Sequence, residues 1–154
     1  MTDSDPARTD TFDRRTSPSA VFVCGECGEI ACRVTMVWPG QNEQQPASET
    51  TWEPQTGGFD PAEWFPTSAS LVLDGGPVPM SRAPVPAESV ARALGLGDPA
   101  ALYAIDPEYA SFWCPGCRAS YCGAHFRTEQ VFDEGFYDCT YGTCPAGHRR
   151  MLDD

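Results

Sequence analysis

Two segments of the chain share one pattern of aromatic and cysteine residues, Phe22-Val-Cys24-Gly-Glu-Cys27-Gly-Glu-Ile-Ala-Cys32 and Phe112-Trp-Cys114-Pro-Gly-Cys117-Arg-Ala-Ser-Tyr-Cys122. In each segment an aromatic residue stands two positions before the first cysteine, a large apolar residue stands one position before it, and the three cysteines have equal offsets. Each segment therefore contains a Cys-x2-Cys knuckle. Two similar knuckles 90 residues apart can each supply one pair of ligands to a four-thiolate metal site.

A Cys-x2-Cys pair suits a metal ion better than a disulfide. A disulfide across so small a loop would constrain little of the unfolded chain. A two-residue spacer instead folds into a tight turn that directs both sulfurs at one ion about 2.3 Å away. Gly28 and Gly116 supply the backbone freedom that such turns use. We therefore interpret the cysteines as a metal-binding set rather than as four disulfides.

Two further pairs of soft ligands follow the second knuckle, Cys122-x2-His125 and Cys144-x3-His148. Their spacings are typical of short turns that present two ligands to one ion. With two pairs for each ion, the sequence predicts two tetrahedral Zn2+ ions. We assign to the first ion Cys24, Cys27, Cys114 and Cys117, and to the second Cys122, His125, Cys144 and His148. This assignment leaves over Cys32 and Cys139, either of which could replace one of the eight.

The two Cys-x2-Cys knuckles resemble the zinc-ribbon arrangement, in which two knuckles lie on facing hairpins, with residues 33–111 as a long insertion. The segment Cys144-Pro-Ala-Gly-His148, with a Cys-x2-His pair before it, resembles treble-clef and cross-brace zinc fingers. These resemblances imply a small α+β fold of mostly β character, with a zinc-ribbon-like or treble-clef-like core that depends on metal.

The main alternative is a cross-brace confined to residues 114–148, in which alternate ligand pairs share an ion. This order resembles the RING family and would imply a ubiquitin ligase. The chain departs from that pattern because its third pair would be Cys139-x4-Cys144, which lacks the two-residue spacing. The fourth pair would also lack a ligand unless the N-terminal knuckle supplied it.

Composition divides the chain into three parts. Residues 1–19 are polar, alternate Asp with Arg, and are predicted to form a disordered tail. Residues 20–38 and 109–154 are predicted to form the zinc-binding core. Residues 39–108 contain 11 of the 15 prolines and ten acidic residues against two arginines. That composition predicts an acidic, loop-rich insert.

Three parts of the insert have the signals of regular structure. Residues 70–73 predict a short strand, because an apolar run there ends at Asp-Gly-Gly. A helix is predicted over residues 86–94 with Gly95 as its stop signal. A second helix is predicted over residues 99–105 with Asp98 as its N-cap.

Length and composition exclude several classes of protein. A chain of 154 residues is too short for a large multidomain enzyme. It contains no run of about 18 apolar residues, and its first residues lack the basic and apolar regions of a secretory signal. We therefore expect a soluble, cytoplasmic protein that makes no membrane contact. All ten cations are arginine, which excludes a lysine Schiff base and a P-loop lysine.

The net charge bears on the kind of partner. The chain carries ten cations against 22 acids, a formal charge of −12, whereas nucleic-acid binding draws its affinity from neutralised phosphates. A nucleic-acid-associated zinc finger is therefore the weaker alternative, and a basic protein partner fits better. Our main hypothesis is a structural zinc-binding protein that acts as a protein-interaction adaptor. Its interaction surface is either the acidic insert, with Trp52 and Trp64, or the segment 126–137.

The sequence gives less support to an enzyme but leaves that role open. Cys24-Gly-Glu-Cys27 resembles a thioredoxin-type redox motif, but no βαβ pattern surrounds it. Zinc deaminases resemble this ligand set, yet neither His125 nor His148 is followed by a glutamate two residues on. A catalytic zinc would need an open coordination position and a carboxylate base. The nearest candidate bases are Glu129, Asp133 and Glu134.

Overall fold

The structure is a computed structural model that describes residues 17–39 and 69–154, so the predictions for residues 1–16 and for Trp52 and Trp64 lie outside it. The strands of the described chain are β1 (Ser19–Val23), β2 (Ile30–Val37), β3 (Ser70–Asp74), β4 (Met80–Arg82), β5 (Trp113–Cys114), β6 (Ala119–Ser120), β7 (Arg127–Asp133), β8 (Phe136–Thr143) and β9 (Arg149–Asp153). Its α-helices are α1 (Ala87–Leu96) and α2 (Pro99–Ile105), followed by a 3-10 helix, Pro107–Ala110. The described chain is therefore mostly β, as the sequence predicts.

Four antiparallel strands form the first sheet, in the order β1-β2-β3-β4. In β2 the alternate side chains of Cys32, Val34 and Met36 are fully buried, which is the period of a strand with one covered face. β3 confirms the strand predicted over 70–73, and it pairs with β2 so that Val34 lies opposite Leu73. Strands β3 and β4 thus extend a sheet that begins with the first Cys-x2-Cys segment.

The two α-helices pack against this sheet. Val90 and Leu94 of α1 and Leu102 of α2 are buried in the same core as the side chains of β2 and β3. α1 begins at Ala87, so Pro86 is its N-cap residue and not the first helical residue that the sequence predicts. Neither helix of the described chain is long and apolar enough to cross a membrane.

The ends of the helices follow cap chemistry, with one correction to the predicted bounds. The carboxylate of Asp98 accepts a hydrogen bond from the N–H of Ala100 at 2.9 Å, as expected for the N-cap of α2. α1 does not end at Gly95, which lies inside the helix. It ends at Leu96 with Gly97 as its C-cap residue, whose φ of 62° is left-handed and whose N–H donates a hydrogen bond to the carbonyl of Leu94. A glycine inside a helix lowers the stability of the helix by only about 1 kcal/mol relative to alanine, so Gly95 is tolerated there. Gly97, which is closer to the start of α2, is the C-cap residue.

A second, smaller core lies between the last five strands and the first knuckle. β5 and β6 form a two-stranded ribbon, and β7, β8 and β9 form a three-stranded antiparallel sheet. The buried residues of this second core are Cys24, Ala31, Cys114, Tyr121, Phe126, Cys144 and Leu152. Three of these seven residues are cysteines, so its apolar content is small compared with that of the first core.

Two contacts hold the cysteine segments and β9 against the first core. The rings of Phe22 and Phe112, which hold equivalent places in the two cysteine segments, stack with their centroids 4.6 Å apart. The guanidinium of Arg150 in β9 donates hydrogen bonds to the carbonyl oxygens of Trp113 at 3.1 Å and Ala110 at 2.5 Å. These bonds satisfy a partly buried cation with backbone acceptors and fix β9 against the end of the 3-10 helix.

Gly142 in β8 marks a point where the second core has no spare room. A Cβ atom there would lie 2.5 Å from a methyl carbon of Leu152 and 2.7 Å from the ring of Phe126, and both of those side chains are fully buried. Gly142→Ala should therefore destabilise the protein by about 1–3 kcal/mol through overpacking. The free energy of unfolding, measured with denaturant and circular dichroism, checks this value.

The matched control is Gly95→Ala in α1. A Cβ atom at position 95 would have nothing within 4 Å, and alanine favours a helix over glycine by up to about 1 kcal/mol. This variant should be more stable than the parent chain. A stable Gly142→Ala variant would show that Phe126 and Leu152 do not pack against β8 as described.

Candidate metal centre

The first cluster of soft ligands, cluster I, consists of Cys24, Cys27, Cys122 and His125. The Nδ1 atom of His125 lies 3.2 Å from the Sγ of Cys122 and 3.6 Å from the Sγ of Cys24. The sulfurs of Cys27 and Cys122 are 3.9 Å apart. Cys24 is buried, whereas Cys27 is exposed. Cluster I therefore lies at the surface with one side inside the protein.

The second cluster, cluster II, consists of Cys114, Cys117, Cys144 and His148. The Nδ1 atom of His148 lies 3.2 Å from the Sγ of Cys117, 3.5 Å from that of Cys144 and 3.6 Å from that of Cys114. The sulfurs of Cys117 and Cys144 are 3.6 Å apart. Cys114 and Cys144 are both buried, so cluster II is enclosed more deeply than cluster I.

These separations match the edges of a coordination tetrahedron. With Zn–S near 2.3 Å and Zn–N near 2.0 Å, tetrahedral zinc holds two sulfurs about 3.8 Å apart and a sulfur and a nitrogen about 3.5 Å apart. The closest donor atoms of both clusters fall near these values, and all four donors of each cluster lie within 4.8 Å of one another. Each cluster can therefore hold one metal ion with a Cys3His donor set.

All eight residues that the sequence predicts as ligands lie in these two clusters, but the predicted pairing is wrong. The first Cys-x2-Cys knuckle meets the Cys122/His125 pair, and the second knuckle meets the Cys144/His148 pair. In chain order, the first and third pairs come together, as do the second and fourth. This is a cross-brace order, built with the N-terminal knuckle and without Cys139.

The physical reason for this pairing is the docking of the first knuckle beside β6. The N–H of Gly25 donates a hydrogen bond to the carbonyl of Ser120 at 2.8 Å, and Cys24 and Ser120 form a parallel bridge. After Ser120 the chain runs away from the turn that contains Cys117 and reaches Cys122 two residues later. The first knuckle thereby lies against Cys122 rather than against the sulfurs of the second knuckle.

Short hydrogen-bonded turns present each pair of ligands. The N–H of Gly28 binds the carbonyl of Cys24 at 3.0 Å, and Gly28 has a φ of 74°, which few residues other than glycine adopt. In the last pair, the N–H of Gly147 binds the carbonyl of Cys144 at 2.9 Å, again with a left-handed φ of 89°. These turns explain why glycine follows or lies within the ligand spacers.

The environment favours the thiolate form of one cysteine in each cluster. Burial raises the pKa of the Cys24 thiol, but hydrogen bonds from nearby backbone N–H groups, including that of Cys122, outweigh burial and bring it down to about 6. For Cys144, burial is outweighed in the same way by the N–H of His148, among others, and the pKa is lowered to about 7. A thiolate is the form that binds a metal ion.

Two residues beside cluster II are not evident from ligand spacing alone. A Cβ atom on Gly116 would lie 2.9 Å from the ring of His148, so glycine is needed for the histidine to reach the cluster. Tyr121 lies beside cluster II, where interaction with the Cys117 side chain, together with burial, raises the pKa of its hydroxyl. Tyr121 directly precedes Cys122, so it contacts cluster II while it adjoins a residue of cluster I.

The two remaining cysteines lie outside both clusters. Cys32 is fully buried among the apolar side chains of the first core, and this burial, with a smaller effect of Asp74, raises the pKa of its thiol to about 12. Cys139 is buried in β8, and burial followed by the effect of Asp138 raises its thiol pKa. Neither residue belongs to the groups of donors that could hold a metal ion among the described residues.

The fold and the two clusters define a small, mostly β protein with two Cys3His sites able to hold metal ions. A protein-family profile described as Domain of unknown function (DUF8328) matches residues 14–154, and the chain belongs to this family. No curated protein and no solved structure matches the chain.

Gly116→Ala tests the close approach of His148. The added methyl group displaces the imidazole from cluster II, and loss of such a supporting contact costs about 10–100-fold in metal affinity. We expect one of the two metal equivalents to be weakened by that factor, measured by titration of the reduced protein with Zn2+ against a chromophoric chelator.

Gly25→Ala is the control, because it changes the corresponding spacer of the first knuckle where a Cβ atom would meet nothing closer than 3.5 Å. Both metal equivalents should keep their affinity in this variant. Equal metal binding by the Gly116→Ala variant and the parent would mean that His148 is not held against the second knuckle.

Proposed function

We propose that this protein is a structural zinc-binding protein that folds around two Zn2+ ions, one in each Cys3His cluster, and acts as a protein-interaction adaptor. The observation that carries the proposal is the geometry of the donors, which form two compact groups of tetrahedral size. Three soft thiolates and one imidazole in each group are a donor set that suits zinc and is poorly suited to Mg2+ or Ca2+.

The donor sets support a structural role for zinc rather than a catalytic one. A catalytic zinc keeps one coordination position open for water or substrate, whereas each cluster here offers four protein donors to one ion. A thiol redox enzyme fits less well, because both Cys-x2-Cys knuckles contribute their sulfurs to four-donor groups.

Zinc also supplies what the second core lacks. Only four of its seven buried residues are other than cysteine, which is little apolar surface with which to order five strands and their turns. The free energy of metal binding becomes folding free energy when the site does not exist in the unfolded chain. We propose that the alternating order of the ligand pairs makes this region a cross-brace zinc fold of treble-clef type rather than a zinc ribbon.

The cations near the clusters favour a protein partner over a nucleic acid. Arg149 pairs with Glu129 at 3.2 Å and lies over the ring of Tyr141. Arg150 is directed at backbone carbonyls. Of the arginines in the C-terminal part, only Arg118 and Arg127 remain to face phosphates, against a formal charge of −12 for the chain. Polyanion binding requires a larger excess of cations, and a basic protein surface is the complementary partner.

The alternating pairing can be tested with two double variants that use the more exposed ligands. Cys27→Ala with Cys122→Ala removes two ligands from cluster I alone, so the protein should keep one Zn2+ per chain. Cys27→Ala with Cys117→Ala removes one ligand from each cluster, so both ions should be lost to a weak competing chelator. Elemental analysis of the purified proteins gives the zinc content.

The reverse result would restore the consecutive pairing of the two knuckles, because that pairing places Cys27 and Cys117 in the same site. Two zinc ions per parent chain are the required reference value. A parent chain that is folded with reduced thiols but holds no zinc would refute the proposal that zinc orders this fold.

Chelation of zinc should loosen the two cores to different degrees. The sheet of β7, β8 and β9 adjoins the core that contains the clusters, to which Leu152 of β9 belongs, whereas β2, β3 and α1 contribute many apolar side chains to the other core. Hydrogen exchange followed by mass spectrometry should show rapid exchange in β7–β9 after chelator is added, and slower exchange in β2, β3 and α1. Protection of β7–β9 that survives complete removal of zinc would contradict a structural role for the metal.

A further inference from the structure

The hairpin formed by β7 and β8 ends in a group of exposed aromatic residues. Phe132 is 59% exposed, Phe136 is 78% exposed and Tyr137 is 42% exposed. By contrast, Phe112 and Phe126 are fully buried. A solvent-exposed phenylalanine contributes little to folding, so three exposed aromatic residues together at one turn indicate contact with another molecule. We call Phe132, Asp133, Glu134, Phe136 and Tyr137 the hairpin tip.

The hairpin tip has a fixed geometry in spite of its exposure. The rings of Phe132 and Tyr137 meet edge to face with centroids 6.0 Å apart. The hydroxyl of Tyr137 donates a hydrogen bond to the carboxylate of Asp153 at 2.6 Å and lies 2.7 Å from the Oγ1 of Thr140. Tyr137 is thereby held against β9, and it supports Phe132. Rigid aromatic groups lose little entropy on binding, which favours affinity.

β7 adds an open strand edge beside these aromatic residues. It is an outer strand of the sheet β7-β8-β9, and within the described part of the chain no other strand pairs with its outer side. All seven of its residues are exposed or half-buried. An uncovered strand edge offers a row of backbone donors and acceptors that an extended segment of another chain can join.

The charge at the hairpin tip selects the chemistry of the partner. Asp133 and Glu134 lie at the turn and Asp138 follows in β8, and the ion pairs among the described residues involve none of the three. Two tips of this kind would repel each other, which opposes self-association, and an anionic membrane or nucleic acid would be repelled as well. Arginine or lysine side chains are the complementary groups.

Both ends of the hairpin adjoin candidate metal ligands. β7 begins two residues after His125 of cluster I, and β8 ends one residue before Cys144 of cluster II. Each strand is thus attached at its base to a different cluster. The position of the hairpin tip relative to the rest of the protein therefore depends on the zinc sites of the proposed function.

We propose that the β7 edge and the hairpin tip bind an extended, basic segment of a partner protein. The segment adds a fourth strand beside β7 and places neighbouring apolar side chains on opposite faces of the hairpin, one toward Phe132 and one toward Phe136. It sets arginine or lysine opposite Asp133 and Glu134. This proposal deepens the proposed function, on which it rests, by naming the surface and the class of partner.

The test begins with selection of random linear peptides on the zinc-loaded full chain. We expect the selected peptides to contain apolar residues beside arginine or lysine. The affinity of a labelled peptide is then measured by fluorescence anisotropy. Phe132→Ser together with Phe136→Ser should weaken binding about tenfold or more. Asp133→Asn together with Glu134→Gln should weaken it less and should reduce its dependence on salt.

Two controls separate the strand edge and the tip from other surfaces. Val21→Ser replaces a 50% exposed apolar residue on β1, and it should leave peptide affinity unchanged. In an added strand, every second backbone N–H points toward β7. Methylation of the peptide nitrogens that point toward β7 should abolish binding, and methylation of those that point away should leave binding intact. This dependence on which nitrogens are methylated is specific to strand addition.

Several results would overturn the proposal. They are the selection of no peptide or of acidic peptides, full affinity for the Phe132→Ser, Phe136→Ser variant, and insensitivity to N-methylation. Tip-dependent dimers in analytical ultracentrifugation would also refute it by identifying a second copy as the occupant. Zinc content and hydrogen exchange of the tip variants should equal those of the parent, so a failure here is distinguishable from a failure of the proposed zinc function.

Discussion

The docking of the first cysteine knuckle beside β6 is the contact on which the rest of the structure depends. The hydrogen bond from Gly25 to Ser120 and the bridge between Cys24 and Ser120 hold together two segments that lie more than 90 residues apart. Bringing such distant segments together reduces the entropy of the chain between them, which opposes the contact. The Phe22–Phe112 stack on one side and cluster I on the other supply the favourable interactions that offset it. Apolar packing and ligand geometry therefore reinforce the same alignment.

The ligand types and the local turns could be predicted from the sequence because they depend on residues within a few positions of one another. A Cys-x2-Cys or Cys-x2-His spacing specifies that two donors face one point, whatever the rest of the chain does. The pairing of these donors could not be predicted in the same way. It depends on where β6 places Cys122 relative to Cys27, which is a property of the tertiary fold.

The internal repeat was informative about packing and misleading about ligands. Phe22 and Phe112 do occupy equivalent places, since their rings stack on each other. The third cysteines of the two segments differ, because Cys32 continues into β2 and is buried in the first core, whereas Cys122 lies in a turn within cluster I. Gly95 and Gly97 differ in a similar way. Either glycine could end a helix as judged from the sequence near it, but only Gly97 is the C-cap residue of α1, whereas Gly95 lies inside the helix.

The alternating pairing of the ligands determines how the β7–β8 hairpin is anchored. With consecutive pairing, both Cys/His pairs that flank the hairpin would share one ion, and the hairpin would pivot about a single point. In the observed arrangement its two strands start and end at different clusters, and Tyr121, which is next to Cys122 of cluster I, lies beside Cys117 of cluster II. Two separate anchor points fix the direction of the hairpin as well as its position. An exposed tip on such a base can meet a partner with little loss of conformational entropy, which is the condition under which a small surface binds specifically.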